Sequence, residues 1–353
     1  MPLVNPITVE KLRRFRSIRH GFWSFVILTG LIVFTLFAEL FINHRALVVR
    51  HDGEWFFPAY GAFVSGETFG LGYQWEADYR ELRERVRTDP VAQARGDFVW
   101  LAAVPYSPTE NCYPGEFFRA RPPDLAKLHL LGTDTQNRDI FARLIYGFRI
   151  ALVFSFFIVL GTYSLGILIG CTMGYYRGTF DLIFQRIIEI WSNIPSLYII
   201  IIIASLVRPN LLWLSLITIT FGWMGMTYYM RTGTMKEAAR DYVASAQVLG
   251  ASDARIILRH ILPNTAATLV TFVPFTVAGA IGSLTALDFL GFGLPVPTPS
   301  WGELLRQGTQ NLTTAPWIVL SSVTAMTLVL TLVTFVGEAI REAFDPRQFT
   351  TYQ

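Results

Sequence analysis

Lysine is almost missing from this 353-residue chain: Lys11, Lys127 and Lys236 are the whole set. None follows a glycine, so the Gly-Lys-Ser/Thr loop that cradles nucleotide phosphates is excluded. Cysteine occurs only as Cys112, in a polar stretch, and Cys171, near the end of an apolar one. Two such residues make no disulfide framework, and both read as free thiols. His20, His44, His51, His129 and His260 are scattered, without the spacing of a metal site. No Gly-x-Ser-x-Gly nucleophile elbow occurs. Charged residues make up 16% of the chain, against roughly 25% in soluble globular proteins. The basic ones flank apolar runs instead of forming one face, which excludes a nucleic-acid binder.

What the chain has is apolar sequence, with 52% hydrophobic residues. Long runs cover 21–42, 148–175, 182–207, 211–230, 266–287 and 317–336. Each is about the 20 residues needed to cross a bilayer. The first follows Lys11, Arg13, Arg14, Arg16 and Arg19, is too long for a signal-peptide core and lacks a small-residue cleavage site. It reads as a basic interfacial helix leading into a membrane helix, with the basic flank inside. Six spans then place both termini in the cytoplasm. Arg177 and the basic residues between 231 and 264 fall in inner loops, as the positive-inside rule requires of short loops.

Residues 43–147 are polar, aromatic and long, and read as a small external subdomain with a helix over Glu76–Arg87. At its end Thr133 or Asp134 can cap a helix carrying the stripe Ile140, Leu144, Phe148. In the second span Gly166, Gly170 and Gly174 share one face, which suits close helix packing or a pathway lining. Pro195 kinks the third span, which also carries Glu189. That acid is either the functional membrane acid or a partner of Arg186. Asp288 closes the fifth span, and an irregular connection with Pro295, Pro297, Pro299 and Trp301 leads to the sixth. Glu338, Arg341, Glu342 and Asp345 form a polar tail.

The polar interval Arg231–Asn264 separates two uncharged spans. Met235–Leu249 has no Gly or Pro and reads as helix. Gly250 breaks it, Ser252 caps a second short helix over Asp253–Ile261, and Pro263 stops that one. Ala244, Ser245, Ala246 and Ala251 are small, so a partner can approach closely; a mere connecting loop is equally compatible with these residues.

Ala244-Ser245-Ala246, three residues, Gly250, and then Leu262-Pro263 resemble the coupling loop of ABC importer permeases. Ala244 stands where that family often has Glu, Ser245 replaces an Ala and His260 an Ile. Leu131-Gly-Thr-Asp134 with Arg138-Asp139 resembles the segment before the second helix of peptide-type permeases, with Asn137 in place of a common Gly. Leu287-Asp-Phe-Leu-Gly-Phe-Gly-Leu-Pro295, Gly302-Glu-Leu-Leu, and Gly337-Glu-Ala-Ile-Arg-Glu-Ala-Phe-Asp-Pro-Arg347 are similar to the dipeptide, oligopeptide and nickel importer permeases. The external insertion adds a similarity to the microcin C and peptide uptake permeases.

The resemblance implies an all-α integral membrane fold with six helices, type I importer-like, and a long extracytoplasmic insertion between helices 1 and 2. It implies these parts: 1–20 cytoplasmic, 21–42 first helix, 43–130 periplasmic insertion, 131–340 permease domain with coupling loop 231–264, and 341–353 cytoplasmic tail. Ala244, Ser245, Ala246, Gly250, Ala251, His260, Leu262 and Pro263 would meet an ATPase. The chain would bind no cofactor or metal and catalyse nothing; ATP and Mg would sit on a partner ATPase. Partners would be a second, related permease, two ATP-binding domains or subunits, a periplasmic solute-binding protein, a peptide substrate and the lipid of a bacterial inner membrane. A stand-alone secondary transporter or channel, and a membrane scaffold, are the alternatives.

Overall fold

The computed structural model describes residues 6–344. In chain order they form α1 (Pro6–Ser17), α2 (Arg19–Leu36), α3 (Ala38–Phe41), β1 (Val48–His51), β2 (Glu54–Phe56), α4 (Tyr79–Thr88), α5 (Pro90–Ala94), β3 (Phe98–Trp100), α6 (Ile140–Tyr176), α7 (Gly178–Ser192), α8 (Ser196–Leu206), α9 (Leu211–Ala238), α10 (Asp241–Val248), α11 (Asp253–Arg255), α12 (Leu262–Leu290), α13 (Trp301–Gln310) and α14 (Pro316–Phe344). Among the described residues five helices, α2, α6, α9, α12 and α14, are long and apolar enough to cross a membrane. The pair α7–α8, bent by 65°, makes a sixth if taken as one span. The expected kink at Pro195 is therefore a full break: proline has no N–H for the ladder and drives its predecessor out of the helical region.

Other boundaries also move. The 37-residue α6 begins at Ile140, and at 1.5 Å per residue its roughly 55 Å exceeds the ~30 Å apolar core of a bilayer. Helix α14 absorbs Glu338, Arg341 and Glu342, while Asp345 and the rest of the expected tail lie outside the described residues. The connection expected to be irregular around Trp301 contains α13, whose N-cap Ser300 accepts the Glu303 N–H. Ser300-x-x-Glu303 is a capping-box pattern that announces this helix in the sequence.

The chain divides into two compact units. One comprises Met1–Thr29, Ala151–Pro295 and Thr327–Gln353. One close seam in it is the glycine face of α6 against α9. A Cβ on Gly166 would stand 2.7 Å from the Met226 Cβ, on Gly170 2.5 Å from the Thr227 carbonyl oxygen, and on Gly174 2.5 Å from the Arg231 carbonyl oxygen. The face is thus a packing surface. Backbones this close gain van der Waals contact where lipid offers no hydrophobic drive. Gly170→Leu is expected to force the helices apart at a cost of roughly 1–3 kcal/mol or more. Its detergent-solubilised thermal midpoint should fall well below wild type, with Gly170→Ala between; an unchanged Gly170→Leu midpoint would contradict the seam. In the same unit Gly21 fits against Ala339, and the Lys11 ammonium lies 4.5 Å from the Phe344 ring centre.

The other unit comprises Gly30–Ile150 and Val296–Met326. Between α3 and α6 it holds a three-stranded antiparallel sheet, order β2-β1-β3, with Val49 opposite Phe56 and Val99. The expected helix over Glu76–Arg87 is α4, started by Asp78, whose carboxylate accepts the Arg80 and Glu81 N–H groups. Tyr79, Leu82 and Val86 form its inner stripe and bury against Val49 and Phe69. The segment therefore has its own apolar core.

Neither Thr133 nor Asp134 caps the second long helix. Asp139 does so, accepting the Ala142 N–H at 2.8 Å. The Thr133 hydroxyl accepts the Arg121 N–H, and Asp134 accepts those of Gln136 and Arg138. Between them Asn137 has φ 57°, a left-handed conformation that Gly and Asn tolerate best. That is why Asn serves where resembling sequences carry Gly.

Asp134 also opens a buried ionic network. Its Oδ2 accepts from Arg138 Nε at 2.8 Å, and Arg138 Nη2 donates to Glu303 Oε1 at 2.8 Å. Arg143, 0% exposed, is paired with Glu303 through its Nη2 and donates through Nη1 to the Pro108 carbonyl at 2.9 Å. Gln307 donates to Glu303 and accepts from the Thr135 hydroxyl, both at 2.8 Å. Above it Trp301 donates to the Leu144 carbonyl, and Gly147 leaves room for its ring.

Candidate coupling site

The polar interval is built differently from the reading of one helix over Met235–Leu249. Helix α9 runs on to Ala238, the chain turns at Ala239–Arg240, and α10 starts at Asp241. No strong breaker marks that turn. It is fixed by packing: Val243 and Ala246 of α10 bury against Ile256 and Ile261. The Tyr242 hydroxyl donates to Glu237 at 2.8 Å across the same corner.

Gly250 ends α10 in the left-handed region, φ 76°. The Gly250 N–H donates to the Gln247 carbonyl and the Ala251 N–H to that of Ala246. This is the paired bonding of a Schellman ending, completed by the apolar contact of Ala251 with Ala246. Space around Gly250 is open, so a side chain there would meet strain without a clash. Gly250→Val is expected to add about 1–2 kcal/mol of backbone strain and to lower the thermal midpoint of the detergent-solubilised chain. Gly250→Asn, which tolerates the conformation, should stay near wild type; equal midpoints for both variants would remove the conformational argument.

Ser252 takes the N-cap position of α11 without a side-chain capping bond. The second helix does not stop at Pro263. A π turn over Ile256–Ile261 passes directly into α12, with Pro263 in its first turn. The chain stays helical through this proline, whose missing N–H falls where the ladder has just widened to the π turn. The Asn264 amide donates to the His260 carbonyl at 2.7 Å and to the Tyr242 hydroxyl.

Ala246 therefore faces inward, Ala251, His260 and Leu262 are half-buried, and Ala244, Ser245, Gly250 and Pro263 are exposed. The sequence pattern did not single out Val248 and Leu249, which are 88% and 87% exposed at the tip of α10. Two apolar residues in a polar interval, directly before a helix-ending glycine, were the available signal. Each contributes about 1.5–3 kcal/mol when a partner buries it.

The elbow is tied to its own unit. The Tyr175 hydroxyl, at the end of α6, donates to Asp253 at 2.9 Å and accepts from Gln247. At the base of the extended α9, Arg231 grips Asp181 of α7 with two bonds, 2.5 and 2.6 Å. Arg177 donates to the Met235 carbonyl. The elbow is thus braced against α6 and α7 and joined in sequence to α9 and α12. Glu189 pairs with Arg186 one turn earlier on α7, and both side chains are exposed on the chain. Burial pushes the Cys112 thiol well above its ordinary pKa, so it stays protonated and is no nucleophile.

A family model described as the binding-protein-dependent transport system inner membrane component matches residues 166–350, the stretch that contains this elbow. The chain belongs to that family. The permease is 39% identical over 350 residues to the inner membrane ABC transporter permease protein YejE of Escherichia coli (strain K12), covering 99% of each chain. It is 36% identical over 370 residues to the peptidoglycan transport system permease protein YejE of Agrobacterium fabrum (strain C58), covering 98% of this chain and 95% of that one. It is 38% identical over 226 residues to the oligopeptide transport system permease protein OppC of Lactococcus lactis subsp. lactis (strain IL1403), covering 63% and 76%. With its apolar helices and this membership, the permease is a multi-pass membrane protein.

Proposed function

We propose that this permease is the transmembrane subunit of an ATP-driven importer of peptides or peptide-like compounds. Relatives named for oligopeptide and dipeptide transport support the substrate class. The observation that carries the coupling role is the apolar Val248–Leu249 tip on a braced elbow. ATP hydrolysis, with its Mg, belongs to a separate ATPase. Its closure would press on the tip, rotate α10 with the joined α9 and α12, and change which side of the membrane the pathway faces. A second permease and a solute-binding protein complete the assembly.

In this reading residues 1–20 and 341–353 are cytoplasmic, 21–42 is the first span, 43–130 is periplasmic, and 131–340 is the permease domain of an inner-membrane protein. Residues 231–264 would be the coupling loop, with Ala244, Ser245, Gly250 and Pro263 at the ATPase and Ala246, Ala251, His260 and Leu262 shaping the elbow. The external segment is a docking candidate for the binding protein. Deleting 60–110 is a poor test, because it removes most of the core around Val49 together with the Pro108 carbonyl that holds Arg143.

The test is purification from native membranes in mild detergent. A co-purifying ATPase, stimulated by peptide-loaded binding protein, is expected. A stable chain without an ATPase, transporting in liposomes under an ion gradient, would replace this reading with a secondary transporter.

A further inference from the structure

A cavity of about 400 Å³ opens in the external subdomain between α4, β3 and the turn that joins α5 to β3. Arg83, Val86 and Arg87 of α4 line it together with Gln93, Asp97, Phe98 and Val99. The two arginines lie one helical turn apart and so share a face. Among the described residues Glu84 is their one ion-pair partner, at 3.8 and 3.6 Å, beyond hydrogen-bonding distance. That pairing is loose, and the buried Arg83 Nε has no hydrogen-bond acceptor among the described residues. Asp97 does not answer it at contact range. Its side chain has no exposed surface, accepts the Asp52 N–H through Oδ1, and stands 3.7 Å from His51 through Oδ2. The Gln93 amide is held beside the cavity by its bond to the Arg87 carbonyl.

We propose that this cavity binds the C-terminal residue of a short peptide, its carboxylate on Arg83 and Arg87 and its apolar side chain on Val86, Phe98 and Val99. A guanidinium matches a carboxylate with paired N–H donors, and the volume falls within the range of small-molecule pockets. A bare inorganic anion would leave the apolar wall unused. The site would hold peptide at the outer face, apart from the membrane pathway. The choice of a peptide as the carboxylate's bearer rests on the importer reading above.

The test is isothermal titration of the full-length permease in nanodiscs, without ATPase or binding protein, using Ala-Ala-Phe and its C-terminal amide. The free acid is expected to bind roughly tenfold or more tightly than the amide, the scale of a lost charge-assisted bond. Arg83→Gln with Arg87→Gln should lose a similar factor. Both positions lie off the buried stripe of α4, and an unchanged circular dichroism spectrum would check the fold. Phe98→Ala should weaken Ala-Ala-Phe more than Ala-Ala-Ala. Equal binding of acid and amide, full binding by the double arginine variant, or phosphate binding as tightly as Ala-Ala-Phe would each overturn the site. Peptide-stimulated ATPase activity in the purified complex is read separately, so loss of this site leaves the importer reading standing. Conversely, acid-selective binding in a chain that shows no such activity refutes the importer and keeps the carboxylate pocket.

Discussion

Val248→Asp combined with Leu249→Asp is expected to detach the ATPase and abolish peptide uptake while the permease still inserts and folds. Both side chains are almost wholly exposed, so the substitution removes no internal contact. In a complex they would be buried, and their joint loss removes roughly 3–6 kcal/mol of apolar burial. That is more than a hundredfold in affinity, before the added penalty of bringing two carboxylates into an interface. Co-purification of the ATPase is the direct readout, with the thermal midpoint of the permease as the control. Val248→Ile with Leu249→Met keeps the apolar area and should retain the partner. If the aspartate variant still captures the ATPase at wild-type stoichiometry, the tip is not the coupling surface.

Glu303→Ala is expected to produce the largest loss of stability. Glu303 meets both Arg138 and Arg143, and Arg143 is buried beyond the reach of water. Without Glu303, Asp134 alone faces two guanidinium groups. Removing one partner of a buried ion pair costs about 3–5 kcal/mol, because the remaining charge stays desolvated. The prediction is a chain that reaches the membrane at strongly reduced level and is cleaved by protease near α13. Glu303→Gln keeps some hydrogen bonds but not the charge, and should fall between. A double variant, Glu303→Leu with Arg143→Leu, removes a charge of each sign and should recover part of the loss. If it is worse than Glu303→Ala, packing around Trp301 outweighs the electrostatics.

Hydrophobic patterning alone located the membrane-crossing segments, since a bilayer demands about 20 apolar residues in a row and soluble cores do not. Glycine spacing in α6 indicated a close-packed face, because only glycine lets two backbones approach so nearly. Gly250 announced the end of α10, because its bonding pattern is local. The missing phosphate loop, a strictly sequential motif, was likewise visible without a structure.

What the sequence could not carry was long-range. The turn at Ala239–Arg240 has no breaker and exists because Val243 and Ala246 found partners ten or more residues later. Pro263 read as a stop, but the chain stays helical through it, with the ladder widened to a π turn just before the ring. The strands β1, β2 and β3 are three or four residues long, too short for a period of two to register. Asp134 and Arg138 sat in one motif of the chain and Glu303 in another, with Arg143 following the first. That they neutralise one another in the interior was decided by the tertiary structure, which brings residues 160 or more positions apart within one hydrogen bond.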